Sequence, residues 1–320
     1  MESTSSSWMG KMWSWMLPQQ STAISAEIDD LFGFIMLLTL IFFVIITWMT
    51  VHFVLKYRHN KQNEIATTDL DHNTLWEAAW AFIPLMLCFV LFVWGFRLFV
   101  KQGIAPDNSL EIQVTAKQWA WQFDYPNGTS DTNLYVPAGR PVKLIMHSND
   151  VLHSFFIPDF RVKSDIIPNR YTTVWFEARE PGQHHIFCTE YCGTDHSNMN
   201  RTVFVLPEEG YQAKMKEFRD AADSASPEQH GEQLYVQNCS SCHSIDGSRK
   251  IGPSWKGLVG RQGTGSKGES YTADENYITE SILNPQKIIV NGYPAAMNSY
   301  KGILSAEDID HIIAYMKTLK

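Results

Sequence analysis

No stretch of this 320-residue chain is polybasic, and its 26 lysines and arginines are outnumbered by 34 aspartates and glutamates, for a net charge of −8. That balance lacks the electrostatic footprint of a nucleic-acid binder. No internal repeat is present, which removes solenoid architectures. The first 26 residues are rich in Ser, Trp and Met but lack the ordered basic, apolar and small-residue regions of a cleaved signal. Cysteine is scarce: five in all, four of them in two tight pairs, Cys188 with Cys192 and Cys239 with Cys242. Cys88 stands alone and reads as a small lipid- or helix-facing residue. Charge is missing altogether from residues 31–51, 21 in a row, and from residues 78–96, 19 more. Each run is long enough to cross a hydrocarbon core of roughly 30 Å. The alternative is a pair of buried helices in a large soluble core.

What is present around those runs gives a topology. Trp48, Trp76, Trp80 and Trp94 lie near the ends of the runs, as interfacial anchors do. The connection between them carries Lys56, Arg58, His59 and Lys61, and the positive-inside rule makes it cytoplasmic with both termini outside. Lys11, Arg97 and Lys101 weigh in the other direction. An exported segment, 1–26, precedes a hairpin, 27–107, with spans at about 29–55 and 76–99. The first span then serves as its own export signal.

From 108 to 207 the period changes to two. Val142, Leu144 and Met146 alternate with Lys143, Ile145 and His147. Residues 172–178 and 203–205 are further β-type runs, and turn signals fall at 126–128, 137–139, 149–150 and 181–182. Short strands at this spacing predict an antiparallel sandwich. Residues 208–227 read as a linker with one or two helical turns over 211–219. From 228 to 320 the signals are helical. Ser305 and Asp308 form a capping-box pattern ahead of an apolar stripe, Ile309, Ile312, Ile313 and Met316. The expected fold is multidomain: a two-helix transmembrane hairpin, an antiparallel β-sandwich and an all-α domain.

Two clusters carry chemistry. Cys188, Cys192, His196 and Met199 fall within twelve residues, and thiolate, imidazole and thioether together select copper or zinc over harder ions. The spacing requires a loop between two strands. A second histidine must come from elsewhere: His153, at the mouth of another strand, is the best placed, with His147, His184 and His185 competing. A disulfide, a Cys2His2 zinc site and a thiol-based copper-delivery site remain alternatives. The second cluster, Cys239-Ser-Ser-Cys242-His243, reads as covalent c-type haem attachment with His243 as proximal ligand. Met297, in a loop before the last helix, suits the sixth position, whereas Met316 belongs to the core stripe. A zinc knuckle or a redox dithiol would need partner cysteines or a thioredoxin-like context.

His153…Cys188-x-Glu190-x-Cys192-x-x-x-His196-x-x-Met199 resembles the binuclear CuA site of the cytochrome c oxidase subunit II family. The two-span hairpin and the sandwich follow in that family's order. The resemblance implies a cupredoxin-like sandwich in which Cys188 and Cys192 bridge two coppers. His153, His196, Met199 and the Glu190 carbonyl would complete the coordination. It further implies that the Glu190 carboxylate meets a magnesium or manganese ion shared with the catalytic subunit. Trp119 matches a tryptophan of electron entry, Lys117 stands where many members have His, and Glu77 matches a glutamate at a proton-path entrance. Residues 228–320 resemble class I cytochrome c, with Pro253 at the proline whose carbonyl supports His243.

The fusion implies a bacterial A-type haem–copper oxidase in the plasma membrane, with both redox domains on the outer, periplasmic or extracellular, side. Electrons would pass from an external donor (cytochrome c, another small carrier or a bc-type complex) through haem c and CuA to catalytic subunit I. Oxygen would be reduced to water there, coupled to proton translocation. Other oxidase subunits and membrane lipid are the remaining partners implied, and no nucleic acid. Two rivals stand beside this reading: a membrane-anchored copper chaperone carrying a cytochrome, and a free-standing shuttle or nitrous oxide reductase-like CuA protein. The last would need a His-rich cluster that the chain lacks.

Overall fold

A computed structural model of the chain describes residue 12 and residues 15–58 and 72–320. Lys11, His59 and Lys61, on which part of the orientation reading rests, lie outside the described residues, as does most of 1–14. Two long apolar helices open the structure, α1 (Ala23–Tyr57) and α2 (Thr74–Gly103), of 35 and 30 residues. At 1.5 Å per residue they rise ~52 and ~45 Å, so both extend past the spans read from the sequence. Thr22 starts α1 with a reciprocal cap: Ser25 N donates to Thr22 Oγ1 at 3.0 Å and Thr22 N to Ser25 Oγ at 3.1 Å. Asn73 starts α2 by accepting from Trp76 N at 3.2 Å. Trp48, Trp76 and Trp80 are exposed. Trp94 instead meets Phe34 across the hairpin at 5.7 Å between ring centroids, so it packs between helices.

The outer end of α1 is tied to the next domain by one buried ion pair. Arg161 Nε and Nη2 donate to the two oxygens of Asp29 at 2.9 and 2.8 Å. Gln20 Nε2 adds a third bond to the same carboxylate at 2.8 Å. A two-pronged guanidinium–carboxylate contact fixes direction as well as distance.

Ten strands follow: β1 (Leu110–Lys117), β2 (Ala120–Asp124), β3 (Ser130–Asp131), β4 (Leu134–Pro137), β5 (Pro141–Ser148), β6 (His153–Ile157), β7 (Val162–Ile166), β8 (Thr172–Glu177), β9 (Gly182–Cys188) and β10 (Arg201–Leu206). They form two five-stranded sheets, ordered β3-β2-β1-β5-β8 and β4-β10-β9-β6-β7. The period-two reading holds along β5, where Val142, Leu144 and Met146 are fully buried. Trp121, Phe123, Phe155, Phe160 and Phe176 fill the space between the sheets. The sandwich is therefore present, with most pairings antiparallel. Two are parallel, β1 with β5 and β4 with β10. Alternation within one strand carries no information about such crossover pairings.

The stretch read as a linker, 208–227, is largely helical: α3 (Glu208–Ser224) is one 17-residue helix rather than a turn or two. Tyr211, Met215 and Phe218 sit at i, i+4 and i+7 on one face and pack on the sandwich core. Glu208 and Glu209 favour the positive end of the helix dipole. After one residue, Ala225, a cap at Ser226 starts α4 (Pro227–Asn238). A short hairpin, β11 (Gln262–Thr264) with β12 (Ser270–Thr272), precedes α5 (Glu275–Leu283) and α6 (Ala306–Thr318). Ser305 caps α6, accepting from Asp308 N at 3.1 Å and donating its own N–H to Asp308 Oδ2 at 2.8 Å. The stripe Ile309, Ile312, Ile313 and Met316 is buried with Tyr235, Trp255 and Ile278, and α6 packs against α4.

Candidate metal and haem sites

β6 and β9 are antiparallel neighbours with Phe155 opposite Cys188. That register brings His153, the first residue of β6, beside Cys188, the last of β9. His153 Nδ1 lies 3.9 Å from Cys188 Sγ. The loop after β9 returns Cys192, whose Sγ stands 3.9 Å from Cys188 Sγ as a separate free thiol. A single 3₁₀ turn, His196–Asn198, presents His196 Nδ1 at 3.4 Å from Cys192 Sγ. Met199 Sδ follows at 4.0 Å from that sulfur. The Glu190 carbonyl oxygen accepts from Cys188 Sγ at 3.3 Å, while its side chain is half-buried at the surface. The ligand atoms of His153, Cys188 and Cys192 all lie within 4.8 Å of one another, and all three residues are buried.

The competing histidines point elsewhere. His147 lies against Tyr171 on the outer face of β5. His184 Nδ1 is 2.7 Å from Asp159 Oδ2, near the opposite end of β9. His185 lies beside Phe187 on the exposed side.

Asp150 holds His153 in place, a role that the sequence, read as a turn at 149–150, did not disclose. Its Oδ1 is 2.9 Å from His153 Nε2, and its two oxygens accept from Val151 N and Gln118 N at 2.7 Å each. A carboxylate on one ring nitrogen leaves the other, Nδ1, to face the sulfurs. Burial works to raise the Asp150 carboxyl, but these bonds outweigh it and hold it below the usual range. For His153, burial opposes protonation, and Asp150 and Cys188 more than offset it. Burial likewise works to raise Cys188, yet His153 and nearby backbone groups pull the thiol down. Cys192 is pushed up by burial and by Cys188 beside it. The surroundings thus favour the thiolate at Cys188 over Cys192, and a metal bound by both sulfurs would displace any proton they carry. Asp150→Ala is expected to lower copper affinity about 10- to 100-fold with the sandwich still folded; competition against a chelator measures it.

Two tryptophans clamp the loop. Trp119 Nε1 and Gln118 Nε2 both donate to the Cys192 carbonyl, at 3.2 and 2.8 Å, and Trp121 Nε1 donates to the Met199 carbonyl at 3.0 Å. Gly193 permits this approach: its φ is +122°, and a Cβ there would sit 2.8 Å from Trp119 Cζ2. Trp119 is only 6% exposed, because the helical domain covers it.

Across that cover lies a cavity of about 260 Å³, lined by Trp119, Cys239, Cys242, His243, Pro253 and Met297 among others. Cys239 caps the end of α4, and His243 follows in the same tight turn, its N–H bonded to the Cys239 carbonyl at 2.9 Å. His243 Nδ1 lies 2.8 Å from the Pro253 carbonyl. A carbonyl can only accept, so the proton is on Nδ1 and Nε2 keeps its lone pair. Burial lowers the pKa of His243, favouring that neutral ring. Gly252 is pressed on the same imidazole: a Cβ there would lie 2.5 Å from His243 Cε1. Met297 enters from the loop before α6, and Met316, from the core stripe, also reaches the wall. Two thiols, a neutral imidazole and a thioether around an apolar slot fit a haem, and the sulfur–imidazole set on the sandwich fits copper.

Glu77 is away from both sites. Its Oε1 accepts from Asn73 N at 3.0 Å at the start of α2, where a carboxylate also favours the helix dipole.

Comparisons with known proteins follow the same division. Residues 10–98 match the family described as Cytochrome C oxidase subunit II, transmembrane domain. Residues 127–205 match its periplasmic domain, and residues 228–320 match Cytochrome c. Cytochrome c oxidase subunit 2 of Alkalihalophilus pseudofirmus is 30% identical over 298 residues, 88% of this chain and 81% of that protein. Cytochrome c oxidase subunit 2 of Synechocystis is 27% identical over 244 residues, 61% of this chain and 74% of that protein. Among solved structures, the periplasmic domain of subunit II of cytochrome oxidase of Bradyrhizobium japonicum is 27% identical with a TM-score of 0.35, covering 37% of this chain and 98% of that one.

Proposed function

The chain belongs to the cytochrome c oxidase subunit II family, and from that membership we propose that it relays electrons from an external donor, through a covalent haem and a binuclear copper centre, to the catalytic subunit. It is a subunit of a haem–copper oxidase, with a membrane anchor, a copper-type domain and a cytochrome c domain. The observation that carries the relay is one side chain: Trp119 lines the haem cavity while its indole N–H bonds the carbonyl of Cys192.

The bound groups supply reversible one-electron redox chemistry; the residues do the rest. Cys188, Cys192, His153, His196, Met199 and the Glu190 carbonyl would hold two coppers. Asp150 keeps His153 aimed, and the Trp119, Gln118 and Trp121 bonds restrain the ligand loop so that it changes little with redox state. Cys239 and Cys242 would form the thioethers, and His243, its Nδ1 proton held by the Pro253 carbonyl, and Met297 would hold the iron. The half-buried Glu190 carboxylate remains for a magnesium or manganese ion at the catalytic-subunit interface. Glu77 stands as the proton-path entrance at the inner end of α2.

The domains run 27–107, 108–207 and 228–320, in a bacterial plasma membrane with the last two outside. The donor is cytochrome c, another small carrier or a bc-type complex. Metal and haem analysis of the purified complex tests this: two coppers for each haem c on this chain are expected. One exchangeable copper for each haem would favour the chaperone reading instead.

A further inference from the structure

Lys117 closes β1 two residues before Trp119, where the sandwich meets the haem-bearing domain. It is a lysine 8% exposed. Among the described residues its ammonium makes no ion pair. It donates to two neutral oxygens, Asn238 Oδ1 at 2.5 Å and Gln122 Oε1 at 3.4 Å. Both amides are oriented for it by other bonds: Asn238 Nδ2 donates to the Leu234 carbonyl at 3.0 Å and Gln122 Nε2 to Asp124 at 2.8 Å. Asn238 is the last residue of α4, directly before Cys239. Its backbone carbonyl accepts from the Tyr300 hydroxyl at 2.7 Å, and Tyr300 lies three residues after Met297. Lys117 therefore touches a network that reaches both the attachment turn and the methionine loop. A second bridge, Gln237 Nε2 to Ser130 Oγ at 3.3 Å, runs alongside it.

A buried cation with only neutral acceptors costs free energy unless negative charge develops near it. Burial pulls the Lys117 ammonium below its ordinary value, opposed by Cys239, Asp124 and Asp150. Cys239 carries no charge once it is a thioether, and the two carboxylates act from beyond ion-pair distance. A haem attached at Cys239, directly after Asn238, would gain and give up its electron beside this network. A fixed positive charge favours the state holding that electron.

Resting on the haem-and-copper reading above, we propose that Lys117 is a positioning residue that seats the haem-bearing helix on the sandwich through Asn238 and, as a buried cation, biases the haem toward its reduced form. One electron enters the haem from the donor and leaves to copper; Lys117 keeps its proton throughout.

The test uses the assembled oxidase. Lys117→Met and Lys117→Gln remove the charge at similar length, the latter keeping a hydrogen-bond donor; Lys117→Arg keeps the charge. Haem titration against potential is expected to show the oxidised-to-reduced ratio rising about tenfold in the neutral variants at a fixed ambient potential. That is a fall in midpoint of ~59 mV for one electron. Lys117→Arg should stay within about threefold of the parent. Assembly of Lys117→Arg but of neither neutral variant would support the seat. Neutral variants with full haem and copper and an unmoved midpoint overturn the proposal. A parent protein without covalent haem or copper would instead sink the underlying reading, so the two failures are told apart.

Discussion

Cys188→Ser is expected to abolish the near-infrared absorption of the copper site and to cut donor-driven oxygen uptake by more than about 100-fold, beyond the range for loss of an outer-shell partner. Cys188 is the hub of its site. Its sulfur touches Cys192 Sγ, the Glu190 carbonyl and His153 Nδ1 at 3.9, 3.3 and 3.9 Å. It is also the thiol that this environment pulls toward thiolate. A serine hydroxyl fills nearly the same space but stays protonated and is a hard ligand, so the cage persists while the soft sulfur ligand is lost. The residues proposed to attach the haem, Cys239 and Cys242, lie on another domain, so the haem spectrum serves as the internal control. Copper absorption and oxygen uptake that survive the substitution would contradict the assignment of Cys188.

The paired substitution Cys239→Ala, Cys242→Ala should leave the chain without covalent haem. Haem staining of the denatured band should vanish, while the copper absorption remains. The effect extends past the two bonds. The cavity of about 260 Å³ is walled by Ile278, Ile282, Ile312 and Met316, which are also core residues of the small domain. Without the group they surround, these side chains lose packing partners on one side, so the domain should also melt at lower temperature. Retained haem staining would show that the attachment lies elsewhere.

The two clusters could be read from the sequence because both are local: the unusual ligand types sit within a few residues of one another. The α6 cap and stripe were readable for the same reason, since Ser305, Asp308 and Ile309 to Met316 interact within one helix. His153 was harder. Four histidines were available, and the choice is made by register, with Phe155 opposite Cys188 across β6 and β9.

Contacts made between segments left weaker traces. Asp150 carried a turn signal, and its role appears only when the β5–β6 connection faces Gln118. The parallel pairing of β1 with β5 depends on crossovers that alternation does not encode. In α3, three apolar positions are diluted by charged neighbours, and the face they form shows its purpose only where it packs on the sandwich. Trp119 was marked by resemblance alone, because nothing in its own segment reveals that another domain covers it.

An electron given to the haem is expected to reach the copper inside the same molecule. Flash reduction of the haem in the oxidised complex, with haem and near-infrared copper bands followed together, tests it most directly. The copper band should bleach as the haem reoxidises, one electron for one, at a rate independent of protein concentration, and the phase should be missing in Cys188→Ser. A haem that stays reduced beside loaded, oxidised copper, or a rate that grows with concentration, would contradict it.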